Sequence, residues 1–220
     1  MLPLLVFDYD GVIHNNLCVY EPAFRKVHEE LIRDGVIAPE TVSSARLSGW
    51  FGMTARDMWL DFHPELPLEV RDEAAARIGV YLVENVRNHK ARWYDGAAEA
   101  LDALKEKGFQ MVILSNSRAV TGEAHFAEFG LAKWFLKWYD SESCGWLPKS
   151  EIIKQVRKDH PGDLIMIGDR YADLEAAKAV NAPFIGCAYG FASPGELDGA
   201  DYLAETVTDI PGIVDSIIPA

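Results

Sequence analysis

The chain has 220 residues, enough for one large domain or for a core domain with a smaller insertion. Hydrophobic residues make up 49% and charged residues 25%, which provides for a substantial core and argues against wholesale disorder. The formal net charge of -13 argues against a nucleic-acid backbone or an anionic membrane as the main partner, while a metal or local cations could still let one pocket take a small phosphorylated ligand. Cys18, Cys144 and Cys187 are scattered, with no CxxC pair and no histidine cluster at zinc spacing, which suits reduced thiols in a cytoplasmic protein. The opening run is apolar but short, lacks a basic start and leads straight into Asp8, so it reads as a strand rather than a signal peptide. No apolar run approaches membrane-spanning length.

The elements follow in chain order. Residues 4–7 read as a buried strand, too apolar for a solvated one. Residues 21–33 carry Phe24, Val27 and Leu31 at helical spacing. Thr54, with Asp57 three places on, has the form of a capping box with Asp in place of Glu, and Met58, Trp59 and Phe62 follow. Residues 68–88 predict a further helix with Ala75, Ile78, Leu82, Val83 and Val86 as its buried stripe. No strand-like run appears between about residues 15 and 90.

From Asp95 the pattern alternates. Asp95 is a candidate cap for a helix over 97–107, ended by Gly108. Strands are expected over 109–114, 135–139, 164–167, 183–188 and 201–203, and helices over 118–129, 150–159 and 172–180. This alternation predicts an α/β fold: a parallel sheet with helices on both faces. The helical block after the first strand is too long for a crossover and is expected to form a separate lobe. The division expected is 1–14 with 93–220 as core and 15–92 as helical insertion.

Chemistry concentrates at the strand ends. Asp8 and Asp10 follow the first strand two residues apart, so both are expected to point the same way, and Gly11 then permits a sharp turn. Two such carboxylates repel unless a cation or a proton intervenes. Ser115-Asn116, Lys149, and Gly168-Asp169 with Asp173 stand at or near later strand ends. Each has a plainer alternative: Ser115 could cap the next helix, Lys149 could be an ordinary exposed lysine, Asp173 a helix-face charge and Gly168-Asp169 a turn.

Taken in order, these four motifs resemble the haloacid dehalogenase-like hydrolase superfamily, in particular its phosphoglycolate-phosphatase-like branch with a helical cap inserted after the first motif. The resemblance covers nearly the whole chain and implies a Rossmann-like core that hydrolyses a small phosphate monoester with Mg²⁺. In that reading Asp8 attacks phosphorus and Asp10 exchanges a proton with the leaving group and then with water. Asp8 and Asp169 offer side-chain oxygens to Mg²⁺, and Asp10 its backbone carbonyl. Asp173, one helical turn from Asp169, orients ligands or metal-bound water. Ser115, the Asn116 backbone N–H at the head of the next helix and Lys149 hold phosphate, and Gly11 admits it.

The chain departs from the family pattern in two places. Ser150 rather than Pro follows Lys149, and His14-Asn15-Asn16 replaces the acid-hydroxyl pair that often follows the first motif. His14 could touch substrate or line a hinge. The stretch from Gly49 to Arg56 resembles the cap loop that approaches phosphate, where Arg56 could read an anion or simply sit on a solvated helix face. The main rival is a sugar-phosphate mutase resembling β-phosphoglucomutase. In such mutases a His stands where this chain has Tyr20, and Ala tends to stand where it has Asn116. A dehalogenase lacks an acid at the position of Asp10. A non-catalytic regulatory protein of the same fold is a third reading, opposed by the intact acidic residues. The sequence leaves monomer and homodimer open, and Trp134, Phe135 and Trp138 are the aromatics to inspect for an interface.

Overall fold

The computed structural model describes residues 2–218; Met1, at the head of the apolar opening run, lies outside them. The chain divides into two compact units, Asn16–Ala91 on one hand and Met1–Asn15 with Arg92–Ala220 on the other.

The Asn16–Ala91 unit is built from α1 (Leu17–Arg33), α2 (Ser44–Gly49), α3 (Ala55–Phe62) and α4 (Leu68–Arg87). Its core joins Phe24, Val27 and Leu31 of α1 to Trp59 and Phe62 of α3 and Ile78 of α4. The Thr54 hydroxyl accepts the Asp57 N–H at 3.2 Å, the cap that the Thr-Asp spacing predicts. Helix α1 starts four residues before the expected Glu21, with Pro22 inside it at the cost of one backbone hydrogen bond. The short α2 was not expected; its signal is Ser43, whose side chain accepts the Arg46 N–H. On α4, Ile78, Val83 and Val86 are buried as expected, Ala75 and Leu82 are partly buried, and Ala74 joins the buried stripe.

The other unit carries β1 (Leu4–Phe7), α5 (Ala97–Glu106), β2 (Met111–Ser115), α6 (Ala119–Phe129), β3 (Phe135–Asp140), α7 (Lys149–Asp159), β4 (Leu164–Gly168), α8 (Tyr171–Ala179), β5 (Phe184–Cys187), β6 (Tyr202–Ala204) and α9 (Ile210–Ile217). The strands form a parallel sheet in the order β3-β2-β1-β4-β5-β6. Side chains alternate between its faces. Leu5, Phe7, Met111, Ile113, Ile165 and Ile167 pack on one side with α5 and α9. Leu4, Val6, Val112, Leu114, Leu164 and Met166 pack on the other with α7 and α8. Both faces are therefore buried, which is why these strands read as continuous apolar runs.

Gly96, with φ 85°, and not Asp95, caps α5. Its left-handed backbone favours glycine, and an added Cβ there would strike Thr208. Helix α9 had no counterpart in the sequence reading. Phe135 is buried, while Trp134 and Trp138 are half-buried and donate their indole N–H groups to Asp102 and Ser117. Among the described residues no helix is long and apolar enough to cross a membrane.

Candidate active site

Strand order reverses on either side of β1, and in such sheets ligands gather beyond the carboxyl ends of the strands at that reversal. Asp8 follows β1 directly, and its backbone N–H donates to Ile167 O at 2.8 Å, locking it beside the end of β4. Asp169 follows β4, and Ser115 ends β2.

Three carboxylates converge here. Oxygens of Asp8, Asp169 and Asp173 lie within 4.8 Å of one another, and all three residues are buried. Lys149 joins them, its Nζ 2.7 Å from Asp8 Oδ1 and 2.6 Å from Asp173 Oδ1. It is only 4% exposed, so it is not an ordinary surface lysine. Pro148 precedes it as the cap of α7, which makes Lys149 the first residue of that helix. A cation at a helix N-terminus opposes the helix dipole, and here the two carboxylates offset that cost.

Charge does not balance within this group: one ammonium faces three carboxyls. Burial raises Asp8 to about 7 against the pull of Lys149, with Asp173 adding to the rise. Burial and the charge of Asp8 also push Asp169 well above its ordinary range. Burial acts to lower Lys149, but Asp173 and Asp8 more than offset it and the net shift is upward.

Asp173 reaches the cluster by a route other than the expected one. Asp169 lies before α8, and Asp173 is the third residue of that helix. Its Oδ2 accepts the Arg170 N–H at 3.1 Å, so a capping interaction aims the other oxygen at Lys149. Asp169 Oδ2 accepts the Phe191 N–H at 2.7 Å, while its Oδ1 is buried with no hydrogen-bond partner. An orphaned carboxylate oxygen among other carboxylates is what a hard cation would satisfy.

Close backbone approach around Asp169 depends on two glycines. Gly11 has φ 88°, and a Cβ there would collide with the Asp169 carboxylate. A Cβ on Gly190 would stand 2.5 Å from Asp169 Oδ2 and 2.7 Å from Gly11 O. Gly190 and Phe191 were missed in the sequence; the available signal was a glycine just beyond the end of β5.

Asp10 goes elsewhere. The chain turns after β1, with the Ile13 and His14 N–H groups both bonded to Tyr9 O, and the Asp10 carboxylate is not among the three that converge, although its charge still bears on Asp8. Asp10 Oδ1 lies 2.7 Å from His14 Nδ1, so the side chains of the two aspartates meet different partners, Lys149 for Asp8 and His14 for Asp10. His14 is fully buried, among Tyr9 and His125. Trp93 Nε1 donates to Tyr9 OH at 3.1 Å, and Tyr9 OH lies 3.1 Å from His125 Nδ1. Burial holds His125 down to about 3, with the neighbouring His14 adding to the effect, so it is neutral.

Ser115 is buried and does not cap α6; its Oγ accepts the Ser117 N–H at 3.2 Å. Asn116 is exposed and lies three residues ahead of α6, not at its head, and its Oδ1 accepts from Ser141 Oγ at 3.2 Å. The first turn of α6 is capped instead by Glu142, which accepts the Ala119 N–H. In the helical unit Arg56 makes two bonds to Asp72, at 3.1 and 3.0 Å, on an exposed face. These contacts describe the solvated-face alternative for Arg56.

The comparisons with known proteins agree with this geometry. Residues 2–181 match the family model described as haloacid dehalogenase-like hydrolase. The chain is 24% identical over 208 residues to a phosphoglycolate phosphatase of Photobacterium profundum, covering 86% of this chain and 85% of that protein. It is 26% identical over 219 residues to pyrophosphatase PpaX of Listeria monocytogenes, covering 96% and 95%. A crystal structure of a predicted phosphatase from Clostridium acetobutylicum superposes with a TM-score of 0.84 at 22% identity, covering 98% and 99%. The chain belongs to the haloacid dehalogenase-like hydrolase family. Within it, the chain falls in the phosphoglycolate-phosphatase-like branch of phosphatases.

Proposed function

We propose that this chain is a Mg²⁺-dependent phosphatase that hydrolyses a small phosphate monoester through an aspartyl-phosphate on Asp8. The observation that carries this reading is the meeting of three buried carboxyls with one ammonium, Lys149, beside an unsatisfied Asp169 oxygen. The donor set is all oxygen, which suits Mg²⁺. Asp8 and Asp169 would hold the ion by side-chain oxygens and Asp10 by its backbone carbonyl, with Asp173 orienting the set. Bound there, the ion would neutralise charge so that an anionic nucleophile can approach an anionic phosphate.

The residues then divide the work. The Asp8 carboxylate attacks phosphorus as the bond to the ester oxygen breaks, and Asp10 gives that oxygen its proton. Lys149 fixes the Asp8 carboxylate and balances charge on the phosphoryl group. The Ser115 hydroxyl accepts from Ser117 N–H and donates its own proton to a phosphate oxygen. In the second half Asp10 takes a proton from water, the water oxygen bonds phosphorus, and the Asp8–phosphorus bond breaks to release phosphate. The cytoplasm is the proposed location.

Purified protein with Mg²⁺ is expected to release phosphate from a generic aryl phosphate, and Asp8→Asn to abolish this with the fold intact. Equal activity in Asp8→Asn, or activity indifferent to a chelator, overturns the mechanism. Conversion of a sugar 1-phosphate to its 6-phosphate with a bisphosphate primer, in place of free phosphate, would select the mutase chemistry instead.

A further inference from the structure

His14 is built into the sheet-bearing unit more firmly than any packing role needs. Its side chain is wholly buried. The ring stacks on Tyr9 at 5.4 Å with an interplanar angle of 18°, and meets His125 edge-on at 4.6 Å. The backbone is held on both sides: His14 N–H donates to Tyr9 O, and Gly11 N–H donates to His14 O. An antiparallel bridge to Trp93 adds a third constraint. A ring held in this way cannot swing, and one of its two nitrogens, Nδ1, faces Asp10 Oδ1 at 2.7 Å.

Asp10 is different. Its side chain is 31% exposed, and His14 is the side-chain partner of Oδ1. A half-buried aspartate with room to turn samples several rotamers, and fixing one costs entropy that the reaction must otherwise supply. A clamp in which Oδ1 accepts places the shared proton on His14 Nδ1 and leaves the proton that Asp10 transfers on its other oxygen.

We propose that His14 is a positioning residue: it clamps one oxygen of Asp10 so that the other is presented to the leaving-group oxygen. The inference rests on the proton-transfer role of Asp10 in the reading above. Tyr9, His125 and Trp93 act behind it, as the wall that fixes the clamp. The Tyr9 hydroxyl ties this wall together, accepting from Trp93 Nε1 and lying 3.1 Å from His125 Nδ1.

The test exploits the leaving group. A nitrophenolate leaves without help, whereas an alkoxide needs its proton. Positioned general acids contribute on the order of 100-fold or more where a proton is needed. His14→Phe keeps the stacked ring and removes the donor. It is expected to lower kcat/KM for alkyl phosphates about 10- to 100-fold while changing that for nitrophenyl phosphate less than about 3-fold. His14→Asn keeps a donor near the Nδ1 position and is expected to recover part of the alkyl-phosphate loss. Equal losses across all leaving groups, or no loss in His14→Phe, overturns the inference. Nitrogen NMR of the wild-type protein gives a readout that needs no variant: His14 is expected to be protonated at Nδ1, and a bare Nδ1 on His14 overturns the clamp. If wild type turns over and Asp8→Asn does not, yet the leaving-group profile of His14→Phe is flat, the clamp alone fails. If wild type releases no phosphate from any ester, the phosphatase reading fails and the clamp falls with it.

Discussion

Lys149 Nζ and Asp8 Oδ1 stand 2.7 Å apart with both side chains almost fully buried. Neither could be in this place alone. A buried ammonium or carboxylate without a partner costs several kcal/mol, whereas a hydrogen-bonded pair recovers much of that. The same Lys149 also holds Asp173, so its removal leaves two carboxylates unpaired as well as the uncompensated Asp169.

Lys149→Met is therefore expected to destabilise the metal-free protein by about 3–5 kcal/mol, the cost usual for breaking a buried pair from one side. Added Mg²⁺ should recover part of this loss, since a cation relieves the same repulsion. Urea unfolding with chelator and with Mg²⁺ reads both effects. Activity is expected to fall on the order of 100-fold or more, as for other lost charge-stabilising groups.

The pH dependence of stability in the metal-free protein follows from Asp8, raised by burial from 3.8 to about 7. The folded state binds this proton more tightly than the unfolded chain does. Its contribution to stability is thus fully present below about pH 4 and is lost as pH rises through about 7. Asp169, also raised, adds in the same direction. Unfolding midpoints with chelator should drop between pH 5 and pH 8, net of other groups. With Mg²⁺ the drop should shrink, because the ion favours the ionised carboxylates. A midpoint that rises over this window with chelator present contradicts the assignment.

Gly190→Ala tests the closeness of packing around Asp169. The added methyl would meet Asp169 Oδ2 and the Gly11 carbonyl, and the latter is backbone and cannot step aside. Overpacking of this kind costs about 1–3 kcal/mol. The more telling outcome is a weakened Mg²⁺ requirement curve: half-maximal activity should need at least several times more Mg²⁺. Glycine 199→Ala is a fitting control, since its neighbour there is the Leu174 side chain rather than a carboxylate.

Arg56→Ala is expected to leave the melting temperature nearly unchanged, because the Arg56–Asp72 pair is solvent-exposed and such pairs contribute little. It is also expected to leave KM for small phosphate esters within about 2-fold, as a guanidinium committed to Asp72 has little left to give a substrate. A large rise in KM for esters that carry a second anionic group would return Arg56 to substrate recognition.

Much of this architecture was legible in the chain. The runs at Leu4–Phe7, Met111–Ser115 and Leu164–Gly168 are buried on both faces, as a doubly covered parallel sheet requires. Strand ends are marked by a change from apolar to acidic residues, so Asp8 and Asp169 announced themselves. What could not be read were contacts set by tertiary approach. Gly190 matters because Asp169 comes close to it, a fact that no local pattern encodes. The partition of Asp8 to Lys149 and Asp10 to His14 depends on where the chain leaves its extended path, and Gly11 permits that turn without dictating it. Asp95 was a reasonable cap by residue preference, but the turn needed a positive φ that Gly96 supplies more easily. Helix α9 carries Pro211 and Gly212 in its first turn, weak helix formers whose packing through Ile210 and Val214 overrides propensity.

Asn15 N–H donates to Arg92 O at 2.9 Å, and His14 bridges Trp93. The two ends of the Asn16–Ala91 segment thus leave the sheet-bearing unit side by side. For the ribosome this has a cost and a remedy. β1, the strand that must sit in the middle of the sheet, is synthesised first and waits for β2 and β4. Once its neighbours emerge, the closed neck makes the long excursion between them resemble a short hairpin. The logarithmic growth of loop-closure entropy keeps the remaining penalty small. Evolution could lengthen, shorten or exchange that excursion without rewriting the sheet.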